Sequence, residues 1–204
     1  MICIVDYGLG NVAAFASVYR RANISVSVAR TSADLGAASK LILPGVGHFD
    51  HAMRLLQASG MRNTLDDLVL RKSVPVIGVC VGMQMLAHSS EEGDLPGLGW
   101  IDAEVKSFKT WQAARDLPVP HMGWNDVHPQ TVEPLFEGLR DGARFYFLHS
   151  YYFNCRRREN VLATCNYGSN FDCAVRSSHI YGVQFHPEKS HHFGSQLLKN
   201  FAAI

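Results

Sequence analysis

The chain has 204 residues, of which 47% are hydrophobic and 18% are charged, and its formal net charge is +1. This length and composition suffice for the core of one domain, and the low charge excludes the electrostatic footprint of a nucleic-acid-binding protein. No apolar run approaches the length of a membrane-spanning helix, and the first apolar segment is too short for a signal peptide. The five cysteines are odd in number and form no C-x-x-C pair, which indicates reduced thiols and predicts a cytoplasmic location.

Strands and helices alternate through the first half of the sequence. Short apolar runs predict three strands, and apolar residues at helical spacing predict three helices. Such alternation is typical of an α/β fold with a central, mostly parallel sheet that is flanked by helices. The predicted strands span residues 2–5, 24–29 and 40–43, and the predicted helices span residues 11–21, 49–58 and 61–70.

The next apolar run, at residues 74–79, breaks at a cysteine between two glycines. Gly78, Cys80 and Gly82 form the pattern G-x-C-x-G between a predicted strand and a predicted apolar helix. Glycines allow the tight, strained turn of a nucleophile elbow, which lifts the side chain clear of the sheet. The pattern is short, and a buried structural cysteine is the alternative interpretation.

Beyond Gly93 the pattern changes to strands joined by turns. The second half is therefore expected to be strand-rich, with mixed or antiparallel pairing, and the polar stretch 110–120 predicts a flexible loop. Apolar residues within 193–201 predict a closing amphipathic helix, and no linker divides the chain, so a single domain is expected over residues 1–204. The predicted strands span residues 100–108, 144–148, 160–167, 171–176 and 179–185.

A candidate base for the thiol follows the last of these strands. His186 can take the thiol proton, and Glu188 can accept a hydrogen bond from the other imidazole nitrogen and fix its tautomer. Residues two apart at a strand end project to the same side, and Pro187 stiffens the link, so the pair can be preassembled. A surface salt bridge is the alternative, but an elbow cysteine together with His-x-Glu predicts a thiol nucleophile and its base.

An acyl-transfer site also needs backbone N–H groups that stabilise an oxyanion. The amide of Val81 directly follows the nucleophile and is one predicted donor. The loop at residues 44–47 follows a predicted strand, and its glycines allow the peptides of Val46 and Gly47 to approach a substrate carbonyl. A simple strand-ending turn is the alternative for this loop.

A rival class of function arises from the turn after the first strand. Residues 8–13 fit G-x-G-x-x-A, the dinucleotide-binding fingerprint, which would make the chain a nicotinamide-dependent oxidoreductase. The second predicted strand ends at Arg30 with no acid at its tip for a ribose, and this class leaves the elbow and His-x-Glu unexplained. His186, His191 and His192 match no zinc spacing, so no metal is expected, and the latter two are expected near the surface on the first turn of the last helix.

Six short motifs follow one another along the chain: DYGLGN at 6–11, PGVG at 44–47, GMQ at 82–84, MGWN at 122–125, HSY at 149–151 and HPEKS at 186–190. In this order they resemble the HisH family of class I glutamine amidotransferases, the glutaminase subunits of imidazole glycerol phosphate synthase. The resemblance covers essentially the whole chain. It implies a single class I glutamine amidotransferase domain in which Cys80, His186 and Glu188 form the catalytic triad.

The resemblance also implies the remaining roles. L-Glutamine would be hydrolysed to glutamate and ammonia through a cysteine thioester, without a cofactor. The residues implied to bind glutamine are Gly45, Gln84, Ser150 and Tyr151, and those implied to contact a synthase partner or gate ammonia are Asn11, Met122, Trp124 and Lys189.

The implied partner is a (βα)₈ cyclase that forms a heterodimer with this chain and makes imidazole glycerol phosphate and AICAR in histidine biosynthesis. Val81, where leucine is more typical, and the segments after His149 and Lys189 resemble a second group of HisH-like chains. These chains supply ammonia to an N-acetyl sugar amidotransferase that makes acetamidino sugars of surface polysaccharide, and this alternative stays open. A catalytically inactive interaction module of the same fold is a third reading, against which the intact triad argues.

Overall fold

The computed structural model describes residues 1–139 and 143–204 and shows twelve strands in one sheet with five α-helices around it. The strands are β1 Ile2–Val5, β2 Val26–Ala29, β3 Lys40–Gly45, β4 Val76–Cys80, β5 Ser89–Ser90, β6 Ala103–Ser107, β7 His121–Pro129, β8 Ala143–His149, β9 Tyr151–Cys155, β10 Val161–Tyr167, β11 Ser169–Ser177 and β12 Ile180–Val183. The helices are α1 Val12–Arg21, α2 Phe49–Ala58, α3 Arg62–Asp66, α4 Val81–Gln84 and α5 His191–Ala203.

The sheet has a parallel part and an antiparallel part. Strands β2, β1, β3, β4 and β12 lie side by side in parallel, and β11, β10, β7 and β8 continue the sheet in antiparallel order. The remaining strands β5, β6 and β9 branch from β11. The predicted α/β class, the parallel first half and the strand-rich second half are therefore confirmed.

One crossover decides where a site can form. Strand β12 comes last along the chain but pairs in parallel with β4, with Val183 opposite Val79. The chain segments that leave the carboxyl ends of β4 and β12 are therefore neighbours. In open α/β sheets this edge is the usual place for a ligand site.

The helices pack as their apolar periodicity predicts. Helix α1 buries Phe15 and Tyr19, and the Tyr19 hydroxyl donates a hydrogen bond to the Leu198 carbonyl of α5 at 3.1 Å. The bounds of α2 equal the predicted ones. The helix predicted over residues 61–70 is α-helical only to Asp66 and continues as a turn with π-helical hydrogen bonding, Asp67–Arg71.

All five cysteines are free and buried. Within the described ranges, 1–139 and 143–204, no helix is long and apolar enough to cross a membrane. The stretch 110–120 contains short 3₁₀ turns rather than a strand or an α-helix.

Candidate active site

The nucleophile elbow predicted at Cys80 is present. Strand β4 ends at Cys80, whose φ of 55° and ψ of −114° are strained for a residue with a side chain, and helix α4 begins at the next residue. The flanking glycines are required by close packing. A Cβ added at Gly78 would lie 2.5 Å from the Gly82 carbonyl oxygen, and one added at Gly82 would lie 2.0 Å from the Leu43 carbonyl oxygen.

His186 and Glu188 are preassembled beside the elbow. The His186 Nδ1 atom lies 3.0 Å from Glu188 Oε1, and the two side chains are 3% and 1% exposed. The prediction of a paired His and Glu is confirmed, but its geometric reason was wrong. Strand β12 ends at Val183, and a 3₁₀ turn over Pro187–Lys189 brings the two side chains together.

A clamp from strand β8 holds this turn in place. The His186 amide donates to the Tyr146 carbonyl at 2.8 Å, and the Tyr146 amide donates to Ser190 Oγ at 3.0 Å. The Ser190 hydroxyl in turn donates to the His186 carbonyl at 2.6 Å. Because Ser190 is fully buried, water does not compete for these hydrogen bonds, and they fix the position of the imidazole relative to the sheet.

The electrostatics favour a protonated imidazole. Burial alone would lower the pKa of His186, but hydrogen bonding to the Cys80 sulfur and to the Glu188 carboxylate raises it to about 10. The second carboxylate oxygen, Glu188 Oε2, is buried and has no hydrogen-bond partner within residues 1–139 and 143–204. Glu188 Oε1, by contrast, accepts a hydrogen bond from His186 Nδ1–H at 3.0 Å.

A cavity of about 310 Å³ opens beside the sulfur. It brings together nine of the residues predicted from the sequence, together with Glu92, Pro120, Leu148 and His149. The nine are Val46, Gly47, Cys80, Val81, Gln84, Ser150, Tyr151, His186 and Lys189. Glu188 is not among the lining residues, because it lies behind the imidazole.

The residues predicted to stabilise an oxyanion lie next to Cys80. Gly45, at the end of β3, is the cross-strand neighbour of Cys80, so Val46 and Gly47 continue directly past the elbow. A Cβ at Gly45 would lie 2.3 Å from the Gly82 amide nitrogen, and Gly47 has a φ of 86°. Both glycines are therefore needed where this loop passes the start of α4.

Gln84 is a cavity residue held by hydrogen bonds. It is 2% exposed, and its Nε2 donates to the Tyr151 carbonyl at 3.2 Å and to Gln184 Oε1 at 3.1 Å. The Gln184 amide in turn donates to Cys80 Sγ at 3.8 Å. Sequence reasoning missed Gln184, although a glutamine within the predicted apolar strand 179–185 was a visible signal.

Glu92 is a second residue that sequence reasoning missed. Its carboxylate borders the cavity, and its Oε2 accepts a hydrogen bond of 2.8 Å from the Phe49 amide at the start of α2. Tyr151 also borders the cavity, and burial, with the negative charges of Glu92 and Glu91, raises the pKa of its phenol. The cavity therefore has a carboxylate in its lining that is held by the backbone of α2, which no sequence motif indicated.

The residues predicted to face a partner are exposed. Met122 is 65% exposed and Trp124 is 39% exposed on one face of β7, and the Trp124 indole stacks on the His191 ring at 5.1 Å. Lys189 borders the cavity and places its Nζ 5.7 Å from the centre of the Tyr146 ring. Asn11 is exposed at the N-cap of α1 and is not among the cavity residues.

The turn that resembled a dinucleotide fingerprint has another explanation. Gly10 has a φ of 93°, and a Cβ there would lie 2.5 Å from the Cβ of Pro44, so the glycine is required by packing against the end of β3. Arg30 pairs with Asp6 at 2.9 Å at the tip of the neighbouring strands. Among residues 1–139 and 143–204, no three His, Cys, Asp or Glu side chains are grouped so as to hold a metal ion. As predicted, His191 and His192 are exposed at the start of α5.

Comparison with known proteins agrees with this geometry. Residues 3–204 match the family model of class-I glutamine amidotransferases. The chain is 58% identical over 204 residues to the imidazole glycerol phosphate synthase subunit HisH of Bdellovibrio bacteriovorus, with both chains covered completely. It is 50% identical to HisH of Leptospira interrogans and 46% identical to the protein named HisH 2 of Pseudomonas aeruginosa, again with complete coverage of both chains.

Solved structures share the fold at low sequence identity. A crystal structure of a glutamine amidotransferase superposes with a TM-score of 0.76 at 21% identity, covering 99% of this chain and 97% of the other. The structure of PurLQS from Thermotoga maritima gives a TM-score of 0.73 at 16% identity, covering 99% and 97%.

Proposed function

The chain belongs to the class-I glutamine amidotransferases and, among them, to the HisH family, and on this basis we propose its function. It is the glutaminase subunit of an imidazole glycerol phosphate synthase, and it hydrolyses L-glutamine to glutamate and ammonia. Residues 1–204 act as one glutamine amidotransferase domain. The observation that carries the proposal is the strained Cys80 beside a buried His186–Glu188 pair, at the mouth of a cavity.

The first half of the reaction forms a thioester. Cys80 Sγ, as the thiolate, attacks the side-chain amide carbon of glutamine, and the carbonyl oxygen becomes an oxyanion. Backbone amides near Val46 and Gly47 and the amide of Val81 stabilise this charge, and one such donor contributes about 10²–10³ in rate. The His186 imidazolium gives its proton to the amide nitrogen, the carbon–nitrogen bond breaks, and ammonia leaves.

The second half releases glutamate. Neutral His186 removes a proton from water, and the hydroxide oxygen attacks the thioester carbon. The carbon–sulfur bond then breaks, glutamate is released, and the Cys80 thiolate and the His186 imidazolium are restored. Glu188 Oε1, 3.0 Å from Nδ1, keeps the imidazole in one orientation through both halves.

The cavity offers complementary charges to the ends of the substrate. Glu92 supplies a carboxylate that can accept hydrogen bonds from the α-ammonium group of glutamine. Backbone groups of the Ser150–Tyr151 segment and of Gly45 form hydrogen bonds with the α-carboxylate and the side-chain amide of glutamine. Gln84 lines the cavity, and its Nε2 is held by a hydrogen bond to the buried Gln184.

The ammonia that this reaction releases is the substrate of a partner enzyme. The exposed Met122 and Trp124, with Asn11 and Lys189, form the surface that we propose contacts a (βα)₈ cyclase in a heterodimer. Aromatic residues and methionine are enriched at the centres of such interfaces. A cytoplasmic location stays a prediction from cysteine usage.

One experiment tests the function and the partner together. Glutamate release is measured for the chain alone, with a histidine-pathway cyclase and its nucleotide ligand, and with an N-acetyl sugar amidotransferase. The expected result is strong stimulation by the cyclase and none for Cys80→Ala. Stimulation by the sugar enzyme alone would keep the chemistry and move the chain to the surface-sugar pathway, and glutamate release that Cys80→Ala retains would overturn the mechanism.

A further inference from the structure

Two buried histidines stand behind the glutamine pocket and are not part of the proposed reaction. His121 is the first residue of β7, and His149 is the last residue of β8. They are 4% and 6% exposed, and His121 Nδ1 lies 3.0 Å from His149 Nε2. His149 also borders the cavity and directly precedes Ser150 and Tyr151.

The hydrogen bonds around the pair fix both tautomers. His149 Nδ1 lies 2.7 Å from the Tyr151 carbonyl oxygen, which can only accept, so Nδ1 carries the proton. In the neutral ring His149 Nε2 is then an acceptor, and His121 Nδ1 must donate to it. His121 Nε2 is left as an acceptor and faces Asn125 Nδ2 at 3.3 Å.

The amide of Asn125 is oriented for this role. Its Oδ1 accepts from the Asp126 amide at 2.8 Å, and its Nδ2 also donates to the Asn166 carbonyl at 2.9 Å. The side chain cannot be turned over without the loss of these bonds. Asn125 therefore presents an N–H to His121.

The pair is held neutral by its surroundings. Burial lowers the pKa of His121 to about 4. Burial, together with His121 and His186, lowers the pKa of His149 to about 3 despite the hydrogen bond to Tyr151. Rings from Phe108, Phe147, Tyr167 and Phe171 pack around the two imidazoles at centroid distances of 4.1–6.4 Å.

The Tyr151 carbonyl is the point where this pair meets the pocket. It accepts from His149 and from Gln84 Nε2, and Gln84 leads through Gln184 to Cys80 Sγ. A continuous set of hydrogen bonds thus connects Asn125 on β7 with Cys80 Sγ, and the two halves of the set meet at the Tyr151 carbonyl, which accepts from both.

From this geometry we propose that His121 and Asn125 are positioning residues for glutamine binding. They hold His149 in the Nδ1–H tautomer, and His149 holds the Ser150–Tyr151 backbone and Gln84 in the conformation that receives the substrate. This inference rests on the proposed function, because it assigns the segment to glutamine recognition.

The test separates binding from chemistry. The isolated chain is treated with a diazoketone analogue of glutamine, and saturation kinetics give the dissociation constant of the reversible complex and the rate of Cys80 alkylation. His121→Phe removes the N–H that His121 donates to His149 Nε2 and leaves that buried nitrogen unsatisfied, while the phenyl ring suits the aromatic surroundings. The variant should therefore weaken reversible binding about tenfold. The alkylation rate at saturation should change by less than about twofold.

Two further measurements keep the test decisive. Asn125→Ala should weaken binding in the same direction even if the His121 variant fails to fold. His179→Phe is the matched control. His179 precedes the amino end of β12, and its Nε2 lies 2.7 Å from the Val69 carbonyl oxygen, whereas the pocket lies at the carboxyl ends of β4 and β12, so this change should leave binding unchanged. Equal weakening in the control, or unchanged binding in both His121→Phe and Asn125→Ala, would overturn the proposal.

The tautomers can be observed without any activity. Nitrogen-15 correlation spectra of histidine-labelled protein at neutral pH should show His121 and His149 protonated at Nδ1. A proton on Nε2 of either ring would overturn the proposal while leaving the glutaminase function intact. Failure of the parent chain to hydrolyse glutamine with any partner would instead remove the function on which the proposal rests.

Discussion

Gly82 and Leu43 are in such close contact that a Cβ on the glycine would lie 2.0 Å from the leucine carbonyl oxygen. The contact joins the first turn of α4 to β3, the strand that leads into the proposed oxyanion loop. The position of Cys80 and the position of the loop are therefore set by the same backbone approach.

Gly82→Ala should displace both the Cys80 side chain and the proposed oxyanion loop. The methyl group cannot be accommodated without moving β3 or α4, and we expect a loss of about 1–3 kcal/mol of unfolding free energy. Partner-stimulated glutaminase activity should fall by at least about 100-fold, since a displaced donor removes oxyanion stabilisation. Denaturant unfolding and steady-state kinetics measure the two effects. Gly36→Ala is the control, because a Cβ there meets nothing within 4 Å, and equal behaviour of the two variants would contradict the prediction.

Cys80 shows that reactivity and stability conflict at the elbow. Its φ of 55° and ψ of −114° are costly for a residue with a Cβ and natural for glycine. Cys80→Gly and Cys80→Ala should both be inactive, but the glycine variant should be the more stable of the two by about 1 kcal/mol. Urea titration of the two variants tests this, and a less stable glycine variant would show that the turn is not strained.

Charge on His186 should make stability depend on alkaline pH. Its folded-state pKa of about 10 lies above the ordinary value of 6.5, so the folded protein holds a proton that the unfolded chain releases. This contribution is fully present below pH 6.5 and is lost as the pH rises through about 10. Glu188→Gln removes one of the groups that raise this pKa, so its unfolding free energy should fall less over this interval. Parallel curves for the variant and the parent would contradict this origin of the shift.

The His121–His149 pair should have the opposite effect in acid. The folded-state pKa of His121, lowered by burial to about 4, lies below the ordinary value of 6.5, so the unfolded chain takes up protons first. Stability is lost as the pH falls from 6.5 towards 4. Unfolding measured at several pH values should show a shallower loss for His121→Phe than for the parent. His179→Phe retains the pair and should follow the parent, and a shallow loss there would refute the assignment.

Trp124 should dominate the affinity for the partner. Its ring is 39% exposed and is held flat against His191 with an interplanar angle of 6°, so little freedom remains to be lost on binding. Trp124→Ala should weaken the complex with the cyclase by at least about 2 kcal/mol, or roughly 30-fold in Kd, by titration calorimetry. Leu70→Ala removes a side chain that is 55% exposed, on the turn that precedes β4, and should leave Kd unchanged.

The sequence was most informative where chemistry and backbone geometry are local. The elbow at Cys80 and the pair His186 and Glu188 lie within short segments whose glycines and proline restrict the backbone, so the elbow and the pairing could be predicted, although the 3₁₀ turn that forms the pair was not. The strand that carries Trp124 was missed, because Gly123 and polar residues interrupt its alternation. Strand β9 was missed because a single residue, Ser150, separates it from β8.

The remaining site residues depended on long-range register. Gln184 reaches Cys80 across a separation of 104 residues, and Glu92 reaches the start of α2 across 43 residues. His121 and His149 meet because β7 and β8 pair with these two residues opposite each other. Neither side chain carries a local signal that distinguishes it from an ordinary core or surface residue.

The five cysteines have unequal surroundings, and this allows the active sites in a preparation to be counted by chemical labelling. Burial raises the pKa of Cys3, Cys155 and Cys173, and raises that of Cys165 to about 12, which keeps these sulfurs as unreactive thiols. Cys80 is the cysteine that borders the open cavity. The share of chains that carry one adduct in an intact-mass spectrum would therefore report the fraction of competent molecules in a preparation. A fluorophore could likewise be attached at Cys80 without replacement of the other four cysteines.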